Sequence, residues 1–402
     1  MSSLTWLAHS EEERRRTLDV VRLLDEPGTL DELGIGGIRD AFAELLFPGT
    51  STIQTRARYF LFIPWIYSGL EHRAPISDAA GRARREEVKL IEALVESDDT
   101  DGVIGKEARA NLQRLPSAIY WQGLEAWGVR RIPISIRAYH RLLERGGFRA
   151  LGGDDEGGER RSLWHSDLPS APDHFPSEVG LALTAKEAEY LRDMVMTRLP
   201  ETLLSALVSD PGHAERLPDA PWELDKWILA TTGTGIREQL RHAKAFSTTI
   251  HGAQLLYNLM VAEAAGREEH GEAYRVRIGL WADGLLADRD ELARWSADLQ
   301  RFWEIVRKGN PRLRAPAQTF AERWFNLAFA GDPRAIASDP QARSLIAARE
   351  RALKGRLARL ENRSAADAWN GASGSERLLY RWPVARTLIE DIAEPLVDRG
   401  TE

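Results

Sequence analysis

The chain has 402 residues, 43% of them hydrophobic and 29% charged, with thirteen Trp and a net charge of −7. That composition is globular, and the length suggests two or three domains of ordinary size. The absence of cysteine excludes disulfides, a thiolate nucleophile and any Cys-ligated zinc.

The N-terminus runs from Met-Ser-Ser-Leu-Thr-Trp into Glu11-Glu12-Glu13-Arg14-Arg15-Arg16, which is wrong for a signal peptide. Ser10 and Glu13 have capping-box spacing, and Leu18, Val21 and Leu24 share a face, so a first helix is expected there. Pro27-Gly28 ends it. Gly34, Gly36 and Gly37 precede a second helix carrying Ile38, Phe42, Leu45 and Leu46, which stops at Pro48-Gly49. Thr50-Ser51-Thr52 supplies N-cap hydroxyls for a helix that holds Arg56 and Arg58 near its exposed start and then Phe60 to Tyr67, with Pro64 inside. The apolar run from Tyr59 to Tyr67 falls well short of the ~20 residues a membrane helix needs, so a cytoplasmic protein without membrane contact is expected.

Asp78 caps a helix from Ala80 to about Ser97, basic at first and then carrying Val88, Ile91, Leu94 and Val95 as a core stripe. Lys106 to Leu112 reads as a short helix, Ser117 as an N-cap, and Ala118 to Trp127 as a second helix. Two short helices about a tight turn resemble a helix-turn-helix, but the second helix, with Tyr120, Trp121 and Trp127, is so apolar that a packed hairpin is the better reading. Ser135 caps a helix to Arg145. Gly146 to Pro176 is Gly-rich, then Pro-bearing and aperiodic, and is taken as a linker. Domains are therefore expected at 1–145 and 177–402, with 146–176 between them.

Thr184 and Glu187 form a capping box before a helix that closes at Pro200, and Leu203 to Val208 continues. After an irregular stretch from Asp210 to Gly235 comes the longest helical signal, Ile236 to Ala265, apolar nearly all round and so central. Helices follow at Glu291–Val306, Thr319–Ala330, Ala342–Asn362 and about Val384–Leu396, and Tyr274–Ile278 is a candidate short strand. The expected fold is mainly α, two-lobed and multi-helical, with at most one or two short strands.

The charge is unevenly spread. Nine Lys or Arg face three Glu between Gly105 and Arg149, and six Arg face one Glu and one Asp between Thr52 and Arg85. A basic third on an acidic protein points to a polyanion, with DNA or RNA the usual partner, or simply to solvated helices. The candidate phosphate contacts are Arg56, Arg58, Arg82, Arg84, Arg85, Arg130 and Arg131. On the central helix His251, Gln254 and Asn258 lie at i, i+3 and i+7 and share a face; they are either a satisfied internal network or a ligand site. Glu87-Val88-Lys89 matches part of a nuclease motif but sits on a helix where that chemistry wants a strand. Thr231-Thr232-Gly233-Thr234-Gly235 lacks the Lys of a phosphate-binding loop. Six Lys or Arg against two Glu in Arg349–Arg363 make one helix face basic, either solvated or facing phosphate or an acidic partner. No metal, cofactor or catalytic set emerges.

Asp31-Glu32-Leu33-Gly34-Ile35-Gly36, the run Pro48-Gly49-Thr50-Ser51-Thr52-Ile53-Gln54-Thr55-Arg56-Ala57-Arg58-Tyr59, Trp369-Asn370-Gly371 and Tyr380-Arg381-Trp382 together resemble the bacterial family DUF6361 over nearly the whole chain. The resemblance implies a phage-defence setting with partners encoded nearby, and supplies no catalytic residues. The expected function is a non-catalytic nucleic-acid-associated component of a larger assembly. The alternatives are a protein-interaction scaffold docking through Trp65, Tyr67, Tyr380 and Trp382, and an enzyme with a site at His251.

Overall fold

The computed structural model describes residues 31–146, 162–224 and 226–397; the helix expected from Ser10 to Leu24 lies outside them. The described residues are mainly α-helical. Their pairing of extended chain is a single antiparallel bridge between Arg130 and Trp164. The chain divides into two compact units, residues 1–42 with 241–378 and residues 43–240 with 379–402.

In the second unit, α1 (Gly36–Leu46), whose first residues belong to the other unit, leads to the irregular segment 47–58 and then α2 (Tyr59–Arg73). The hydroxyl-rich stretch at 50–52 does not start a helix. Gln54 Nε2 donates to Gly49 O (3.1 Å), and the Tyr120 hydroxyl accepts from the amides of Thr55 and Arg56, so the side chains around the segment satisfy it without a helical turn. Gly49 sits at φ +80°, and a Cβ there would lie 2.9 Å from the Trp127 ring, so a glycine is required.

Tyr59 to Tyr67 are buried, because α2 packs against both α3 (Ala79–Val95) and α4 (Pro116–Ala126). Phe60 stacks on Trp127 with ring centroids 3.9 Å apart. Asp78 caps α3 by accepting from the Gly81 amide. The expected helix at Lys106–Leu112 is reduced to a 3₁₀ turn, Arg109–Asn111, and α4 begins at Pro116. Ser117 is not its cap. Its amide and hydroxyl both donate to Glu87, at 2.8 and 2.7 Å. With one helix missing and Tyr120, Trp121 and Trp127 buried, the segment is a packed turn and not a helix-turn-helix.

Ser135 caps α5 (Ile136–Arg145), which packs on α3. Residues 162–176, the described part of the expected linker, are well anchored: Trp65 Nε1 donates to Pro169 O, Trp164 Nε1 to the Tyr139 hydroxyl, and Phe175 lies against Phe62 and Trp65. The capping box of Thr184 and Glu187 opens α6 (Ala185–Arg198), followed by α7 (Leu203–Val208) and α8 (Lys226–Thr231). The stretch expected to be irregular after Asp210 also holds two short 3₁₀ turns.

The first unit is built on α9 (Thr234–Ala264), from residue 241 onward. Phe246, Ile250, Ala253, Leu256, Tyr257 and Val261 are buried around it, as a helix apolar on all sides requires. Gly252 lets the Trp281 ring rest on the backbone; a Cβ would meet it at 2.3 Å. Trp281 and Trp324 donate their indole N–H groups to Thr248 O and Thr249 O, both at 2.8 Å. Around it run α10 (Glu268–Ala287), α11 (Arg289–Ala297), α12 (Leu299–Gly309), α13 (Ala315–Ala330), α14 (Pro340–Lys354) and the short α15 (Arg363–Asp367). The strand expected at Tyr274–Ile278 is helical, since Tyr274, Ile278, Trp281 and Leu285 are buried at three- and four-residue spacing. The last helix, α16 (Trp382–Val397), belongs to the second unit and packs on α6 and α7.

Candidate nucleic-acid interface

The seven arginines proposed from sequence have different fates. Arg56 is half-buried and reaches Asp391 (2.9 Å) and Asp99 (2.9 Å), while the Ala57 amide also donates to Asp391. Arg58, 8% exposed, pairs with Glu187 at 2.9 Å and donates to Gly180 O. Arg84 donates to the carbonyls of Ala110 and Leu112. Arg130 is 1% exposed, lies over the Trp121 ring at 4.8 Å and donates to Trp121 O and Glu125. Arg56, Arg58 and Arg130 are thus neutralised by carboxylates of their own unit, whereas Arg84 is only partly buried and bonds carbonyls, with no ion pair among the described residues. A buried charge must be paired, and each is already paired or hydrogen-bonded.

Arg82, Arg85 and Arg131 remain at the surface. Arg82 bridges to Glu86 one turn on, and Arg85 lies 3.6 Å from Asp78. Both are solvent-screened pairs of small energy. Lys89 continues this face of α3 and shares Glu86. The charge count between Gly105 and Arg149 includes the clearest basic stripe of the unit, but the candidate contacts leave it out. Arg137, Arg141 and Arg145 are exposed on α5 at four-residue intervals, opposite the buried Tyr139 and Leu143. None of the three has an ion-pair partner among the described residues. The signal was present in the amphipathic period of α5.

Among the described residues no three His, Asp or Glu side chains converge as a metal site would require, and no helix is long and apolar enough to cross a membrane. The family model for DUF6361, a family of unknown function, matches residues 1–395. The chain belongs to DUF6361. No curated protein and no solved structure matches it.

In this DUF6361 protein the polar face of α9 is brought together as its spacing implies, and it grips main chain. Gln254 Nε2 donates to Gly374 O (2.7 Å) and His251 Nε2 to Ser375 O (3.0 Å). Asn258 both donates to Ser373 O and accepts from Ser373 N, each at 2.9 Å. Arg277 and Tyr274 add donors to Ser375 O and Gly371 O. Burial is the main reason that the His251 pKa falls to about 4, helped by Arg277 and Arg377 and opposed by the bond to Ser375. His251 is thus a neutral donor committed to a loop carbonyl.

Four of the six basic residues of Arg349–Arg363 are likewise engaged within their unit, while Arg351 makes a surface pair with Glu361 and Arg356 is exposed. Arg349 donates to Leu33 O and Gly34 O, Arg363 to Ala264 O and Ala265 O, and Lys354 and Arg359 pair with Glu32 beside Tyr257 and Glu350. Burial acts to raise the Glu32 pKa, but Lys354 and Arg359 more than offset it and hold the carboxyl below its usual range. Lys89 is exposed while Glu87 points inward, so the two share no nuclease site. Thr231 and Thr232 return their hydroxyls to Ile228 O and Leu229 O, which leaves an ordinary helix end. The aromatic anchors Trp65, Tyr67, Tyr380 and Trp382 are all buried within the second unit.

Proposed function

We propose that this protein is a non-catalytic, nucleic-acid-associated component of a cytoplasmic bacterial assembly, in the anti-phage setting that the family likeness suggests. In this reading it contacts phosphates through α3 and α5. The observation that carries it is the row of Arg137, Arg141 and Arg145, exposed and without ion-pair partners among the described residues. Four helical residues rise about 6 Å, close to the axial rise of two base-pair steps of a duplex, about 7 Å. Arg82, Arg85 and Lys89 on the helix packed against α5 extend the same electrostatic surface.

Titration of the full chain with duplex DNA, single-stranded DNA and RNA at about 50 and 200 mM salt tests this. Binding should weaken steeply with salt. Replacing Arg137, Arg141 and Arg145 together by Ala should lower the salt slope by about 3 at unchanged melting temperature. Absence of binding to any of the three at low salt would overturn the reading. The scaffold reading draws support from a different feature, the exposed Leu353 and Leu357 of the first unit, and capture of the products of neighbouring genes would separate the two.

A further inference from the structure

Two short extended segments of the second unit pair side by side. The Arg131 amide donates to Leu163 O (2.8 Å) and the His165 amide to Val129 O (2.9 Å), flanking the bridge of Arg130 and Trp164. Successive side chains of extended chain alternate. With Arg130 and Trp164 turned inward, Arg131 and His165 leave from the other face. Both line two clefts, one of 480 Å³ and one of 510 Å³. The larger cleft is completed by α6, which contributes Tyr190, Asp193 and Arg198, and by Asp167.

Three features mark this cleft as a place for a ligand. Neither Arg131 nor Arg198 has an ion-pair partner among the described residues, whereas Arg130 pairs with Glu125 and Arg192 with Asp193. The hydroxyl of Tyr190 is buried and has no hydrogen-bond partner, a state that proteins avoid unless something else supplies the partner. The Asp167 amide donates to His165 Nδ1 (3.3 Å), so the neutral ring carries its proton on Nε2 and keeps a donor free. Gly128, at φ +80°, makes room for this arrangement, because a Cβ there would lie 2.8 Å from Arg198 Cγ.

The chemistry narrows the ligand class. Two guanidiniums and an imidazole N–H suit a phosphate. The His165 and Tyr190 rings, 6.0 Å apart and inclined at 55°, offer apolar faces to a planar base. The carboxylate of Asp167 and the second oxygen of Asp193, whose Oδ1 is bonded by Arg192, can accept from hydroxyl or amino groups and would repel a bare inorganic anion. A volume of 510 Å³ falls within the range of small-molecule clefts and is generous for a single amino acid.

We propose that the cleft formed by Arg131, His165, Asp167, Tyr190, Asp193 and Arg198 binds a nucleoside 5′-phosphate, either as a free nucleotide or as the terminal unit of a strand. The site is separate from the stripes on α3 and α5. Each can fail while the other stands.

The test is calorimetric titration of the full chain with AMP, GMP, CMP and UMP, with inorganic phosphate, and with one short oligonucleotide carrying either a 5′-phosphate or a 5′-hydroxyl. At least one mononucleotide or the 5′-phosphorylated strand should bind, and more tightly than inorganic phosphate. Mononucleotide binding assigns the site to free nucleotides, and selective binding of the 5′-phosphorylated strand assigns it to strand ends. Arg131→Ala should weaken binding on the order of tenfold, and Tyr190→Phe, which removes only the hydroxyl, should weaken it several-fold without lowering the melting temperature. The triple alanine variant of α5 should leave mononucleotide binding as it was. If neither nucleotides nor the phosphorylated strand bind, or if binding is indifferent to both Arg131→Ala and Tyr190→Phe, the proposal is wrong.

Discussion

Glu87 is fully buried on α3 and accepts from the Ser117 amide at one oxygen and from the Ser117 and Tyr67 hydroxyls at the other, at 2.8, 2.7 and 3.3 Å. Burial raises its pKa from 4.5 to about 7, and the hydrogen bonds from Ser117 and Tyr67 offset only part of that rise. No cation forms an ion pair with it among the described residues. Below the unfolded pKa the carboxyl is protonated in both folded and unfolded chains. As pH rises through the interval from 4.5 to 7, the unfolded chain ionises first, and stability is lost until the folded group titrates too. A shift of this size corresponds to about 3 kcal/mol.

Glu87→Gln removes the titration while keeping the shape. Its amide oxygen can accept from the Ser117 amide, and its NH₂ can donate to the two hydroxyls, which reverse their roles. Urea unfolding of wild type and variant at about pH 4 and about pH 8 should give near-equal stabilities in acid and a variant more stable by about 3 kcal/mol in alkali. A variant less stable than wild type at the higher pH would refute the reasoning. It would mean that three hydrogen bonds suffice to hold an ionised carboxylate in that position.

Two further outcomes follow from buried polar groups. Arg58→Ala or Glu187→Ala strands one member of a buried pair, and Glu187 also closes the capping box of α6, so either should cost about 3–5 kcal/mol in thermal or urea unfolding. Asn258→Ala leaves both polar groups of Ser373 without their partner and should cost about 1–3 kcal/mol, with proteolytic nicking near 371–376 as the local readout. His251→Ala belongs to the same clamp. Because the folded pKa of His251 is depressed to about 4, the wild-type clamp should weaken as pH falls from about 6.5 toward 4, and the Ala variant should lose that dependence.

Elements fixed by neighbouring residues were legible in the sequence. The capping box at Thr184 and Glu187, the Asp78 and Ser135 caps, and the all-apolar turns of α9 depend on spacings of four residues or fewer, and each helix formed where it was expected. The segment 50–58 was misread because its conformation is set by the Tyr120 hydroxyl, more than sixty residues away in the chain. The polar row of α9 was legible as a row. What it touches was not, since the loop carbonyls it grips lie well over a hundred residues further on.

The arginines show the same division more sharply. Charge summed over a window treats every guanidinium as available, yet availability depends on partners far away: Glu187 for Arg58 is 129 residues distant, and Asp391 for Arg56 is 335. Such pairs are invisible to local counting. They consume the positive charge that made the N-terminal third look like a polyanion surface. Helical phase is local, however, and it separates the two populations. Arg137, Arg141 and Arg145 share the face of α5 opposite Tyr139 and Leu143, so their exposure follows from the sequence alone. Basic residues that recur on the polar face of one amphipathic helix are therefore the better indicator of a free surface. Arg beside the aromatic runs is instead paired inside the unit: Arg58 and Arg130 lie over the Phe62 and Trp121 rings and pair with Glu187 and Glu125, and Arg56 pairs with Asp99 and Asp391.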